Sequence, residues 1–547
     1  MPSPSLQISL ITISSLFLDA LDIHGRTMTP PPPEIPSTYY DLRAYYRTHY
    51  EADFASGKYL RFVIPLGALQ WIVLILYYLV PHDRFPALRS LPARLSLWVA
   101  LSAHCLFLIL RTRSDQIFVF HGLFEAFFVA WSGALLLCSD VQRDFKRVRR
   151  VDVRSQCAER STDERRREFV YKWEGYPQGN FSNRLGWVMD LICNLRGVAW
   201  NWKPYGILPR PPFVQDQLDA DATGTEIPPH VPSSSEIDLY LAEGHSKSFR
   251  HNAVDFLVSF LWVDLLRTLM IHDPYFWGYP SAPLPAYVQR IFPAFLLSFS
   301  RLNTFIRVAL ALHYIYRSVR LLYNLSTCIF LGLSFIPAFH SVLNVNGEYW
   351  LHPSTNLPFR HALEMGLVGF WGMHWHQYLR ATPTLCGRKI LECLGIVERS
   401  TIGKLLLAFI VFGMNGALHS VSGHSAIGDS DLRRGGVMAF FVMQPVGIIL
   451  EQCVWWATWK TGLRKYISPR LRHVANAAWF AIWLTVVGGP TIGQDYARCA
   501  YVILEPLPVT PLRLLGFGVK GDPWWLYDGL GVYWHSGKSI WSSGLAV

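Results

Sequence analysis

Long apolar runs separated by charged or proline-rich stretches set the pattern of this chain. Phe62 to Val80 carries no charge over 19 positions, which at a helical rise of about 1.5 Å per residue covers roughly 30 Å of hydrocarbon. It is the clearest predicted span. Leu95 to Leu110 is shorter and ends at Arg111 and Arg113, and Ile117 to Cys138 is full length but carries His121 and Glu125. Both are predicted spans whose polar groups face other helices. Ala253 to Ile271 contains Asp255, Asp264 and Arg267, so it is at best a buried span. Ile291 to Phe335 reads as two consecutive helices lined by Arg301, Arg307, Arg317 and Arg320. Further apolar runs cover Leu405 to Leu418, Val437 to Trp459 and Ala475 to Val487, the second interrupted by Pro445 and Glu451. A short piece from Leu512 to Phe517 and an aromatic stretch from Trp524 to Trp534 close the chain. The pattern predicts an all-α, polytopic transmembrane helical bundle of about eight to ten spans in one domain, residues 59–547. No repeat at a fixed short period appears.

The polar stretches complete this picture. Residues 1–58 hold the run Pro30 to Pro33 followed by a tyrosine-rich polar segment, and read as a tail and extended linker. An apolar patch from Ile8 to Leu18 has no basic residue before it and is closed by Asp19 and Asp22, so internal spans rather than a cleaved signal peptide are expected to direct insertion. Residues 143–184 form a basic block containing Lys146-Arg147, Arg149-Arg150 and Arg165 to Arg167, which the positive-inside rule assigns to the cytosol. Leu185 to Trp202 is too polar for a lipid-exposed span and is expected at the interface or inside the bundle. A proline- and acid-rich loop follows from Pro204 to about Glu243.

Composition agrees with a membrane chain. Of 547 residues 51% are hydrophobic, 14% aromatic and 16% charged, with a mean hydropathy of +0.21, too apolar for a soluble enzyme of this length. The net charge is +11 and the arginines are concentrated in one region, which argues for an asymmetric loop and against a nucleic-acid surface. Nine cysteines are scattered, several of them (Cys105, Cys138, Cys453) inside apolar runs, and neither a C-x-x-C pair nor zinc spacing appears. Neither a disulfide framework nor a bound metal is expected.

Candidate chemistry gathers at Phe370 to Arg380, F-W-G-M-H-W-H-Q-Y-L-R. Histidines and an arginine are expensive at membrane depth and call for a reason. Helical spacing places Trp371 with Trp375, Gly372 with His376 and His376 with Arg380. His374 and His376, two apart, do not offer the i, i+4 face that a metal or haem would take. About forty residues on, F-G-M-N-G-A-L-H puts Asn415 and His419 four apart on one helical face. A lone histidine on a helix face is most often hydrogen-bonded structure. His424, in S-V-S-G-H, is the alternative base, and Ser422-Gly423 before it predicts a break in the helix.

Taken in order, E-Y-W, F-W-G-M-H-W-H-Q-Y-L-R, F-x-x-N-G-x-x-H and F-F-V-M-Q-P-V-G-I-I-L-E, from Glu348 to Glu451, resemble the wax synthase-like branch of the membrane-bound O-acyltransferases. The fungal members that acetylate terpenoids and other secondary metabolites are the nearest type, with R-G-V-A-W at Arg196 to Trp200 a weaker match. The resemblance implies a catalytic core at residues 345–460 and a helical bundle with an internal tunnel where acyl-CoA from the cytosol meets an alcohol. It aligns His419 with the catalytic histidine and His376 with an Asn or His closing the F-W-G motif. Asn415 stands where a Ser is usual, and Met373-His374 where a pair of arginines is common.

An alcohol attacks a thioester only with a base at its hydroxyl, and neutral imidazole suits that at pH 7. The expected chemistry is direct acyl transfer, with His419 as base. Asn415 or His376 would orient it or donate to the oxyanion, Trp371, Trp375 and Arg380 would support the tunnel, and Glu451 would pair with a buried arginine. The expectation is an acyl-CoA-dependent O-acyltransferase moving acetyl from acetyl-CoA to a hydrophobic terpenoid or meroterpenoid alcohol. It would use no bound cofactor and sit as a multi-pass protein of the endoplasmic reticulum. Long-chain wax or sterol ester synthesis is the alternative within the class, and a polytopic transporter the alternative outside it.

Overall fold

The computed structural model describes residues 34–114, 121–152, 169–204, 207, 209–225, 243–279, 282–291, 299–333, 336, 349–352, 356–427, 436–489, 505, 507–519, 521–526 and 532–546. The Ile8 to Leu18 patch, the Pro30 to Pro33 run and Arg165 to Arg167 lie outside these residues. Among the described residues the first helix, α1 (Tyr39–Ala55), occupies part of the segment read as an extended linker. Its spacing explains the difference, because Tyr39, Leu42, Tyr46 and Tyr50 recur at three and four residues and are all buried. A capping box starts it. Thr38 accepts from the Asp41 amide at 3.2 Å, and the Asp41 carboxylate accepts from the Thr38 amide at 2.8 Å. Thr38→Ala is expected to lower stability by about 1 kcal/mol in thermal unfolding of the detergent-solubilised protein.

Helices α2 (Ile64–Leu79), α3 (Leu91–Arg111) and α4 (His121–Leu136) follow and share one apolar core around Leu74, Trp98, Phe128, Trp131 and Leu135. Their polar residues face one another, as the sequence predicts. Gln70 donates to Glu125 at 2.6 Å, and His121 Nε2 lies 3.2 Å from the Thr112 hydroxyl.

The basic block contains structure that an all-helical reading does not foresee. Strands Arg147–Asp152 and Phe169–Glu174 pair antiparallel, and two further two-stranded ladders join Leu60–Arg61 to Thr112–Arg113 and Tyr533–His535 to Gly544–Ala546. Arg147 is drawn into the fold by Glu174 at 2.6 Å and Asp190 at 3.2 Å. Helices α5 (Phe181–Cys193) and α6 (Pro212–Thr223) flank this hairpin. Gln217 and Asp221 on α6 accept the Tyr171 and Trp173 amides at 2.9 Å each, so the strand edge is covered. Trp187, Trp200 and Trp202 are buried with α2 to α4, so Leu185 to Trp202 packs inside rather than at an interface.

Ser300–Leu333 is one continuous helix, α8, where two were expected, and it packs along α7 (Glu243–Met270). No Pro, and no Gly before position 332, interrupts it. Three of the arginines in these helices face carboxylates: Arg307 makes a two-pronged pair with Asp273 at 2.8 Å, Arg320 pairs with Asp255, and Arg267 meets Glu505 at 3.3 Å. Arg513 also meets Glu505, at 3.2 Å, and the Arg267–Glu505 pair fastens this C-terminal segment to α7. A buried guanidinium without a counter-charge would be costly, so these pairs fix how the charged helices pack.

The last group is α9 (Arg360–Gly369), α10 (Ala381–Cys393), α11 (Thr401–Ile427), α12 (Gly436–Lys460) and α13 (Pro469–Trp483). Among the described residues α3, α11 as far as Gly423, and α12 are long and apolar enough to cross a membrane, while α2 and α4 are apolar but shorter. The chain is an all-α helical membrane protein. Gly416 lets α11 approach α12 closely, since a Cβ there would crowd Met438 and Phe441. The break expected at Ser422-Gly423 does not occur, because α11 continues to Ile427. Ser420 and Ser425 fold their hydroxyls back onto the carbonyls of Gly416 and Ser422, and one glycine costs a helix only about 1 kcal/mol.

Candidate functional site

Phe370 to Arg380 is not the regular helix its spacing predicts. Helix α9 is broken at Gly366 (φ 64°, ψ −141°), resumes, and ends in a π turn from Phe370 to His374. Trp375 is then extended (ψ 151°), so His376 and Arg380 do not share a helical face. The cause is in the side chains that capture the freed carbonyls. Arg380 donates to the Gly372 carbonyl and to Gln377 at 2.8 Å, Gln377 donates to the Trp371 and Trp375 carbonyls, and Asn356 donates to the His374 carbonyl at 3.0 Å. Irregular backbone survives in an apolar setting only when its polar groups are met in this way. Arg380 is therefore a helix-end clasp. Trp371 and Trp375 still meet, their rings 5.7 Å apart and edge to face.

Glu451 has a different partner from the expected arginine. Its Oε2 accepts the Leu367 amide at 2.8 Å, the N–H exposed by the break at Gly366. Gly366 adopts a conformation open essentially to glycine, and a Cβ there would overlap the Glu451 carboxylate. The buried arginines on α7 and α8 are instead met by Asp255, Asp273 and Glu505. Glu451→Gln keeps an oxygen for the Leu367 amide and is expected to cost at most about 2 kcal/mol, with Glu451→Leu costing more because that amide is orphaned. Equal losses of thermal midpoint in the two variants would show that the charge itself matters.

On α11, His419 and Asn415 are one turn apart as predicted, but the link between them is not the Asn side chain. His419 Nδ1 lies 2.8 Å from the backbone carbonyl of Asn415, while the Asn415 amide donates back to Val411 at 2.8 Å. A carbonyl only accepts, so Nδ1 carries the proton and Nε2 the lone pair, the tautomer a base needs. Phe441 from α12 lies against the imidazole at 4.7 Å. His376 sits within electrostatic reach of His419 and against Trp375 at 5.3 Å. Thus the structure brings His376, His419, Trp371 and Trp375 into one aromatic-lined region and sets Arg380 and Glu451 to hold its backbone. The side chain of His424 lies outside the described residues.

Two residues of this region escape helical-spacing arguments. Gln377 is buried beneath the π turn, and Gln444 on α12 accepts the indole N–H groups of Trp371 at 3.0 Å and Trp483 at 3.2 Å. The available signal was an uncharged amide inside an apolar run, in F-F-V-M-Q-P, where it needs polar partners.

Residues 357–443, which hold the π turn, His376, Asn415 and His419, match the membrane bound O-acyl transferase family. The chain is 23% identical over 402 residues to acetyltransferase ple2 of Rhodocybe pseudopiperita, covering 72% of this chain and 84% of that protein. It is 30% identical over 126 residues to acetyltransferase nanB of Aspergillus nanangensis, covering 22% of this chain and 30% of that protein. A third acetyltransferase, from Arthrobotrys oligospora, is 30% identical over 135 residues, 21% of this chain and 28% of that protein. No solved structure matches the chain. The matched segment holds the aromatic-lined histidine pair, and over it the chain is similar to the membrane bound O-acyl transferase family, with relatives named as acetyltransferases.

Proposed function

We propose that this enzyme moves acetyl from acetyl-CoA to a hydroxyl of a hydrophobic secondary metabolite such as a terpenoid or meroterpenoid. The observation that carries the reading is His419, with Nδ1 tied to the Asn415 carbonyl, placed inside the family-matched segment beside a second histidine. Three relatives named as acetyltransferases favour acetyl over long-chain groups. In the proposed reaction His419 Nε2 takes the proton of the acceptor hydroxyl as its oxygen attacks the thioester carbonyl carbon. The C–S bond then breaks, and the imidazolium returns the proton to the departing coenzyme A thiolate. In this reading His376 orients the acceptor or donates to the oxyanion, and Asn415 acts through its backbone carbonyl. The acyl-CoA is a co-substrate, not a resident cofactor.

The proposed orientation follows from charge. Gly122, at the start of α4, donates to Ser425, near the end of α11, at 3.2 Å. By the positive-inside rule we assign the basic block 143–184, and Arg399 and Lys404 at the start of α11, to the cytosolic side of an endoplasmic reticulum membrane. His419 is 18 residues beyond Thr401, or about 27 Å along the helix from that end, so an acyl donor entering from the cytosol must thread its arm inward.

The test is to incubate membranes containing the full chain with labelled acetyl-CoA and a panel of hydrophobic alcohols, with ergosterol, sclareol and betulin as probes. Alcohol-dependent thiol release and a labelled ester are expected. Turnover with palmitoyl-CoA alone would replace acetyl by a long-chain donor, and no thiol release with either donor would overturn the reading.

A further inference from the structure

Gln444 has no solvent exposure and three polar contacts. Its amide oxygen accepts from Trp371 on the π turn and Trp483 on α13, and its amide N–H donates to the Phe440 carbonyl at 2.8 Å. An amide oxygen has two lone pairs, so this one is filled by the two indoles. The next residue, Pro445, has no N–H, and the Phe441 carbonyl therefore loses its helical donor at the same turn. The Gln444 side chain reinforces α12 where its own ladder is weakest.

What Trp371 touches gives this anchor its meaning. Its ring stands edge-on to Phe412 at 5.6 Å and to Trp375 at 5.7 Å, and lies 6.4 Å from Phe441. Phe441 in turn lies against His419, and Trp375 against His376. Edge-to-face contacts depend on ring orientation, and an indole in an apolar core turns toward whatever acceptor it is given. Fixing the Trp371 N–H therefore fixes the rings that bear on both histidines.

We infer that Gln444 is a positioning residue for acyl transfer, acting through Trp371 to hold the aromatic wall against which His419 and His376 are aligned. The inference rests on the reading of His419 as the base. Its test uses the purified full chain, acetyl-CoA and the best acceptor of the alcohol panel. Gln444→Leu is expected to lower kcat about tenfold or more, since small misplacements are costly in transfer chemistry, while the acetyl-CoA KM stays within about twofold. Gln444→Glu, which keeps an oxygen for the indoles, should recover part of that loss. Trp371→Phe keeps the ring and removes the donor, and in that background Gln444→Leu should cost much less than it does alone. Equal costs in both backgrounds, or wild-type kcat in Gln444→Leu, overturn the inference while leaving acyl transfer intact. If Gln444→Leu does not fold, the Gln444→Glu and Trp371→Phe pair decides by the same non-additivity. A chain whose His419→Ala variant turns over normally fails at the earlier step and is recognised as such.

Discussion

Replacing His419 by alanine is expected to lower alcohol-dependent thiol release by about 10²–10⁴, the usual worth of a positioned base. Expression, membrane insertion and elution of the solubilised protein should not change. The surroundings of His419 separate the two effects. His419 makes its bond to the Asn415 carbonyl of its own helix, and α11 is held from outside by Gly416 against Met438 and Phe441 and by Ser425 against Gly122. Removing the imidazole takes away the lone pair and leaves those contacts. His376→Ala should reduce kcat less, because it removes an orienting or donating group and not the proton acceptor. Full activity in His419→Ala would refute the assignment, and loss confined to His424→Ala would move the base one turn along α11.

Gly366→Ala should be the most damaging single-methyl change near the site. The residue sits at φ 64°, ψ −141°, and the added carbon would overlap the carboxylate of Glu451 that holds the Leu367 amide. Strain of this kind costs about 1–3 kcal/mol before any clash is counted, and the clash falls on a buried group. The expected result is little folded protein after detergent extraction. Gly366→Ala combined with Glu451→Ala separates the two costs, since it relieves the overlap and keeps the backbone strain. A Gly366→Ala variant with the wild-type thermal midpoint would show that α9 can close into a regular helix without loss. Activity then would report whether the break at Gly366 is needed to aim the π turn.

These two residues mark how far the site could be read in advance. His419 was legible because an amide and an imidazole four apart in an apolar run already share a face, and helical geometry is local. The role of Gly366 was not, because it depends on Glu451, 85 positions later. His376 was placed by resemblance, and its predicted partner Arg380 turned away because Gly372 and Gln377 offer that guanidinium nearer acceptors. An acid in an apolar run shows that Glu451 needs a partner, but which one depends on a backbone opening that no periodicity reveals.

By itself the sequence determined the apolar helices, the concentration of positive charge, the polar faces inside α2 to α4 and the candidate histidine on α11, all consequences of hydrophobicity and short-range spacing. The tertiary structure alone decided that the F-W-G stretch unwinds into a π turn and that Glu451 meets the Leu367 amide. It also decided that Gln444 joins α12, α13 and the π turn through one amide oxygen. The physical reason is common to these cases. A buried hydrogen-bonding group must find a partner, the partners here come from distant parts of the chain, and only the packed bundle brings them within reach.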